Sequence, residues 1–300
     1  MKKPSQKNCM KENNLKSSKK LNTLVEDIYK SVADLNTGNL EISEDCLESL
    51  SVGIANAVRG WATPKENKQF TLRMSNVGRP ARQLYYNNKY NNSGVLDSPT
   101  LIKFLYGHIL EEVLIFLARI AEHNVTDMQK EVVVKDVKGH IDCKIDGEVI
   151  DIKTASGFAF KKFKNGTLRE DDPFGYLSQL AGYEAAEGTD NGGFLAINKE
   201  SGELTLYQPE ELDKPNIEIL INKINNIFKF DELPGRCYNL IPSGTKGNMK
   251  LPRGCVYCHF KTECHSDANG GKGLRLFKYA KGIEYLTRVN YLPKVEEITA

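Results

Sequence analysis

No stretch of this 300-residue chain is apolar for long enough to cross a membrane, and its N-terminus lacks the apolar core of a secretory leader. The expectation is a cytoplasmic protein with no membrane partner. Collagenous, mucin-like and repeat biases are also missing, which excludes fibrous and solenoid architectures. A strong net charge is absent too: 41 Lys and Arg against 39 Asp and Glu leave +2, so no global field marks a partner. The charge is unevenly placed, however. Residues 1–20 hold seven lysines against one glutamate and read as a disordered basic tail, while residues 236–290 hold ten basic residues against three acidic ones. The second patch suits a phosphate-rich partner. With 40% hydrophobic residues, a chain of this length can bury a full core and support an accessory lobe.

Seven cysteines in such a chain argue against a disulfide framework and toward metal ligation or simple burial. Cys9, Cys46 and Cys143 are scattered and read as small hydrophobes. Cys255, Cys258 and Cys264 instead form C-x2-C-x5-C, with Cys237 as the convenient fourth thiolate. Their surroundings are too polar to bury them by packing alone. Four thiolates can hold a [4Fe–4S] cluster or a structural Zn²⁺, and spacing does not choose between them. His259 and His265 add a Cys₃His zinc option.

Periodicity predicts amphipathic helices over 21–36 and 43–59, the second starting at Ser43. A further helix over 100–122 would bury Tyr106, Leu110, Val113, Leu117 and Ile120 and carry His108, Glu111, Glu112 and Arg119 on its other side. Strands are predicted at 131–135, 139–145, 148–153, 193–199 and 203–207, helices at 176–186 and 217–230, and loops at 87–99 and 157–166. The expected fold class is α/β, a central mixed sheet flanked by helices. Residues 21–235 would form the main domain and 236–300 a basic, cysteine-rich C-terminal lobe.

The chemistry concentrates in residues 139–153. Asp146-Gly147 reads as a two-residue type I′ turn, and counting outward pairs Ile145 with Glu148, Asp142 with Asp151, and His140 with Lys153. Side-chain alternation gathers Ile141, Cys143, Ile145, Ile150 and Ile152 on one face and Asp142, Asp151 and Lys153 on the other. A lone Asp-x-Lys would be merely a charged outer face. Two facing carboxylates, however, cost up to about 1 kcal/mol unless a cation sits between them. A divalent ion with oxygen ligands, Mg²⁺ or Mn²⁺, removes that conflict. It also polarises a phosphate and acidifies an attacking water while a lysine steadies the developing charge, which is the chemistry of phosphodiester hydrolysis.

Asp142 followed by Asp151-Ile152-Lys153 resembles the core motif of the PD-(D/E)xK nuclease superfamily, with Asp in place of the more frequent Glu. The resemblance, to its RecB-like and lambda-exonuclease-like branches, runs over roughly residues 70–265. It implies a restriction-endonuclease-like core and a metal-dependent DNA exonuclease acting in phage recombination, repair or DNA degradation. The alternative is a structure-specific or restriction-like endonuclease, and the third reading is a non-catalytic nucleic-acid-binding protein built on the cysteines. These branches place an acidic ligand four residues after a Gly or a His on an upstream helix. Gly107 to Glu111 and His108 to Glu112 both fit; Glu111 is preferred, with His108 as the runner-up ligand and the Ile152 carbonyl as a further ligand that the resemblance implies.

Gln179 and Tyr183 match the Gln-x-x-x-Tyr of the following helix, which implies support of the site and contact with the substrate strand. Segments 172–183 and 74–85 resemble bacteriophage-encoded exonucleases, implying the host cytoplasm as the location. The C-terminal cysteines resemble those of iron–sulfur nucleases, whose fourth cysteine lies in an upstream Cys-Pro-Arg segment; here Pro80-Ala81-Arg82 stands in the comparable place without a cysteine. Arg79, Arg82, Lys161, Lys162 and Lys164 are candidates for backbone phosphates, and Tyr85, Tyr86, Phe158 and Phe160 for stacking on unpaired bases. DNA is the expected partner, with a helicase or recombinase alongside it as a further expectation. No sequence feature sets an oligomeric state.

Overall fold

The computed structural model describes residues 19–63, 69–91 and 97–298. Cys9 and all but the last two residues of the 1–20 tail lie outside the described residues. The helices are α1 (Leu24–Asn36), α2 (Glu44–Ala62), α3 (Met74–Val77), α4 (Ala81–Tyr90), α5 (Ser98–Ile120), α6 (Gly157–Lys164), α7 (Tyr176–Glu187), α8 (Ile217–Phe230) and the one-turn α9 (Arg253–Val256), α10 (Lys261–Cys264) and α11 (Ala268–Gly271). The strands are β1 (Val125–Thr126), β2 (Glu131–Val134), β3 (Val137–His140), β4 (Cys143–Ile145), β5 (Glu148–Ala155), β6 (Gly193–Asn198), β7 (Leu204–Tyr207), β8 (Ile241–Ser243), β9 (Asn248–Lys250), β10 (Arg275–Tyr279), β11 (Gly282–Arg288) and β12 (Glu297–Ile298). They form two compact units: residues 19–63, 72–78 and 97–221, and residues 69–71, 79–91 and 222–298. The chain therefore enters the second unit three times, where the sequence suggested one break near residue 235.

The first unit is a mixed α/β layer structure around a sheet of order β1-β4-β5-β6-β7, in which only β5 and β6 are parallel. β5 is buried on both faces, so its apolar residues serve two cores. Ile150 and Ile152, with Cys143, Ile145 and Leu195, pack on Leu114, Ile115 and Ala118 of α5 and on Leu24 and Ile28 of α1. Val149 and Ala155, with Phe194 and Ala196, join the opposite core with Met74, Val77, Phe160, Phe163, Leu177, Leu180 and Tyr183. Ile141 belongs to this second core and not to the Ile150 face where alternation put it.

Three local expectations change. Residues 139–145 are not one strand. Lys135-Asp136 makes a turn with both φ positive, +45° and +68°, and closes a separate hairpin that pairs Glu131 with His140. Residues 157–166 contain α6, because Phe160 and Phe163 reach the sheet from one helical face while the lysines stay outside. Helix α5 buries Leu114, Ile115 and Ala118 together with the expected Ile120, leaving Tyr106 56% exposed. Its sequence is apolar around most of its girth, so the period alone does not select the buried side. The cap at Ser43 is as expected: its hydroxyl accepts from Cys46 N. Cys46 itself is buried and disulfide-bonded, which departs from the lone buried thiol expected there.

The second unit carries an antiparallel sheet of order β12-β10-β11-β9-β8, built around Leu251, Phe277 and Leu286. The sequence suggested no strands there. The strands are short and interrupted by Gly and Asn, so alternation never runs long enough to stand out. Helix α4 in this unit also extends into the expected 87–99 loop as far as Tyr90.

The turn before α7 depends on a backbone contact. Gly175 has φ +75°, and a Cβ there would lie 2.3 Å from the carbonyl carbon of Gly78. Gly175→Ala should therefore cost about 1–3 kcal/mol from the left-handed backbone alone, and more from the clash. At about 2–4 °C per kcal/mol for a domain of this size, thermal unfolding should show it clearly, and an unchanged Tm would rule the contact out as a constraint.

Candidate active site

β4 and β5 stay paired only from Ile145–Glu148 to Cys143–Ile150. Beyond Cys143 the chain turns away, and Asp142 O accepts from Gln129 N at 3.0 Å. On that side the Ile152 N–H has no strand carbonyl to meet. It donates instead to Asp142 Oδ2 at 2.7 Å, a carboxylate standing in for a ladder acceptor. Asp142 and Asp151 thus arrive at one place, as the hairpin register suggested, but through a side-chain bond and not as a laddered pair. Lys153 does not face His140, which pairs with Glu131.

Alternation along β5 turns Asp151 and Lys153 toward α7. Asp151 is 1% exposed, and its Oδ2 meets Lys153 Nζ without a well-aligned hydrogen bond. Lys153 Nζ also lies 3.4 Å from Gln179 Oε1 and 4.6 Å from the centre of the Tyr176 ring. Gln179 Nε2 donates to Tyr183 Oη at 3.0 Å. Gln179 and Tyr183 are both buried, so this geometry gives them to the lysine and not to a passing strand. Tyr176 is a site residue that sequence reasoning missed; its only signal was its position three residues before Gln179.

Helix α5 supplies the third carboxylate. Gly107 abuts Thr154 of β5, which carries the next turn of α5 past the strand. Glu111 Oε1 there accepts from Gln129 Nε2 at 2.6 Å. Gln129 was also missed, since a glutamine in a strand approach carries no motif. Glu112 points elsewhere: a Cβ on Gly53 of α2 would lie 2.2 Å from its Oε2, and Arg119 is the charge it feels. His108 is exposed on α5.

The charges in this pocket do not balance. Burial, then Asp151 and Glu111, push the Asp142 carboxyl well above its ordinary range. Burial and then Glu112 lift Glu111 to about 7, despite the Gln129 hydrogen bond, with Asp151 raising it further and Lys153 opposing. Asp151 is raised by burial in spite of Lys153. Burial also disfavours the Lys153 ammonium, but Asp151 and Asp142 outweigh it and hold the lysine protonated. One cation serves three carboxylates. A divalent ion fits this oxygen donor set and would also satisfy Asp151 Oδ2. Among the described residues no group of three His, Cys, Asp or Glu side chains is placed to hold a metal ion as it stands; Glu111 is turned to Gln129 and Asp151 to Lys153, so binding would require those side chains to turn.

The basic and aromatic candidates are dispersed. Arg79 is half-buried, with no hydrogen-bond partner at its buried Nε. Arg82 is engaged within its own unit, donating to Cys264 Sγ at 3.1 Å and to Pro234 O at 2.7 Å. Lys161 is exposed, whereas Lys162 bonds the Asp171 carbonyl at 2.8 Å and its carboxylate at 2.5 Å, and Lys164 pairs with Glu203. Tyr85, Tyr86 and Phe160 are buried, which removes them as stacking surfaces, while Phe158 is 70% exposed. In the second unit, Cys237, Cys258 and Cys264 lie near enough to act on Cys255, but among the described residues no three cysteines are placed to hold one metal. Burial and then the other three sulfurs push the Cys255 thiol up to about 12, and Cys237 and Cys258 are raised by burial as well. His265 is 1% exposed, with no partner at Nε2 and no cysteine among the charges that act on it.

No family model matches the chain, and no curated protein matches it. Among solved structures, the crystal structure of SSO0001 is similar at 16% identity and a TM-score of 0.36, covering 73% of this chain and 95% of that one. An alkaline exonuclease from Laribacter hongkongensis is similar at 15% identity and a TM-score of 0.36, covering 50% and 78%. A phage-related exonuclease from Haemophilus somnus 129PT is similar at 13% identity and a TM-score of 0.36, covering 54% and 92%.

The raised carboxyls predict a pH signature. A group whose folded pKa exceeds its unfolded value stabilises the fold at low pH and loses that contribution as pH rises through the folded value. With chelator present, Tm should therefore fall as pH rises from about 4.5, the ordinary Glu value, to about 7, where folded Glu111 gives up its proton, and level off above that. Millimolar Mg²⁺ should restore Tm at the alkaline end and change little at the acid end. A Tm indifferent to Mg²⁺ at both pH values would remove the ion from the site.

Proposed function

We propose that this chain is a divalent-metal-dependent nuclease that hydrolyses DNA phosphodiester bonds from an end. The observation that carries the reading is the convergence of Glu111, Asp142 and Asp151 on a single half-buried lysine, a donor set short of positive charge. Glu111, Asp142 and Asp151, with the Ile152 carbonyl, would hold Mg²⁺ or Mn²⁺. The ion, when bound, supplies Lewis-acid polarisation of the phosphate and a more acidic water.

The chain's own residues supply position and charge. Lys153 stays protonated and is steadied by Asp151, Gln179 and the Tyr176 ring, so it acts as a fixed positive charge for the phosphate and not as a base. Gln129 orients Glu111, and the Ile152 amide orients Asp142. Hydrolysis from an end, and a phage setting, rest on the likeness of segments 172–183 and 74–85 to bacteriophage exonucleases. His108 is left as a surface residue near the site, and Arg79 and Lys161 as the basic candidates that remain for backbone phosphates. In the second unit, the four cysteines would hold a [4Fe–4S] cluster or Zn²⁺, with Arg82 bonded to Cys264 as the charge compensating the thiolates.

Incubation with Mg²⁺ tests the reading. Linear DNA should be degraded to short products while closed circles persist; rapid cutting of circles would replace the exonuclease with an endonuclease. Asp142→Asn, which keeps an acceptor for Ile152 N but removes charge, should cost at least about 100-fold in rate, with a Tm in chelator no lower than that of the unchanged protein. Lys153→Ala should lose cleavage while retaining DNA binding in Ca²⁺. Full activity in either variant would sink the assignment.

The cysteine centre is tested separately. Anaerobically prepared protein should contain stoichiometric iron, with absorbance near roughly 400 nm, or else stoichiometric zinc. Absence of both metals, with four freely alkylated thiols in the folded protein, would show that no such centre forms.

A further inference from the structure

We propose that Phe174 and Tyr176 form a stacking subsite beside Lys153 that takes an unpaired nucleobase of a single DNA strand, next to the phosphate entering the carboxylate site; this rests on the nuclease reading above. Phe174 is 54% exposed, so its own burial does not fix it. The turn that presents it is fixed by other means. Asp172 accepts from Tyr176 N at 3.0 Å and Leu177 N at 2.9 Å, and its carbonyl accepts from Gly175 N at 3.2 Å. Gly175 is locked in the left-handed region against Gly78.

The Phe174 ring stacks on Tyr176 with centroids 5.4 Å apart and planes 23° from parallel. Tyr176 in turn rests on Phe163 and Phe194 at 6.1 and 6.3 Å and covers Lys153 Nζ at 4.6 Å. An aromatic series therefore runs outward from the core, passes the ammonium and ends in an exposed ring. Stacking on aromatic side chains is how nucleic acid is held without reading its sequence, because every base offers a flat face. A base inside a duplex already has both faces covered by its neighbours, so this ring selects a base that has been freed. The lysine beside it reads the phosphate, and the ring reads the base. Phe174 lies in a turn, where sequence periodicity assigns no face.

Binding measured in chelator separates this subsite from cleavage. The ligands are a short single strand carrying 2-aminopurine and a blunt duplex of the same sequence. Phe174→Ala should weaken single-strand binding about tenfold, and Phe174→Trp should restore it. Duplex binding should change by less than about twofold. The 2-aminopurine fluorescence should be quenched by the unchanged protein and recover in Phe174→Ala, whose exposed position should leave Tm unaltered. Equal weakening toward both ligands, no weakening, or no single-strand binding by the unchanged protein would each overturn the subsite. Stacking without any Mg²⁺-dependent cleavage would instead overturn the nuclease reading alone. Cleavage with the same 2-aminopurine fluorescence in the strand complexes of the unchanged protein and of Phe174→Ala would overturn the subsite alone.

Discussion

Charge balance around Lys153 is the constraint on which the arrangement of the first unit turns. An ammonium withdrawn from water needs partners on every side, and the fold provides them from separate elements: Asp151 from the same strand, Gln179 and Tyr176 from α7. Those partners stabilise the lysine, yet they leave Asp142 and Glu111 with no cation of their own. The fold tolerates that imbalance because Asp142 also serves as a strand acceptor and Glu111 is tied to Gln129. Structure and site therefore share groups: the Asp142 carboxylate that closes the strand is also a candidate metal ligand.

Much of this was legible in residues 139–153. Asp146-Gly147 does take two positive φ values, +52° and +93°, and Ile145 does face Glu148. Counting outward failed after Cys143 because a second turn, Lys135-Asp136, competes for the same chain. Non-Gly residues at positive φ leave little trace in a sequence, so that turn gave no warning. The consequence was local. Asp142 still reached Asp151, because a side-chain bond to Ile152 N restored the proximity that the ladder no longer provided.

Elsewhere the obstacle was competition between elements and not weak periodicity. The 217–230 helix matched its amphipathic pattern end to end, whereas α5 offered apolar residues on several sides and its buried face was chosen by the sheet it met. Glu111 and Glu112 were equally good by spacing. What separated them was the neighbour each meets, β5 and Gln129 for one and Gly53 of α2 for the other, and neighbours across the fold are not encoded in the spacing of one helix. Arg82 shows the same limit. It reads as a phosphate ligand by type, but its guanidinium is occupied by a thiol and a carbonyl far along the chain.

The interleaving of the two units bears on how the chain is made. Residues 69–71 and 79–91 belong with residues 222–298, so helix α4 leaves the ribosome well before the segments that complete its unit. Until then its tyrosines Tyr85 and Tyr86, buried in the finished protein, have no native cover. The first unit can close as soon as residue 221 has emerged, and the cysteine-bearing unit can only form last. A cut near residue 235 would not release an independent C-terminal module. It would take away the strands and leave behind the helix they were folded with.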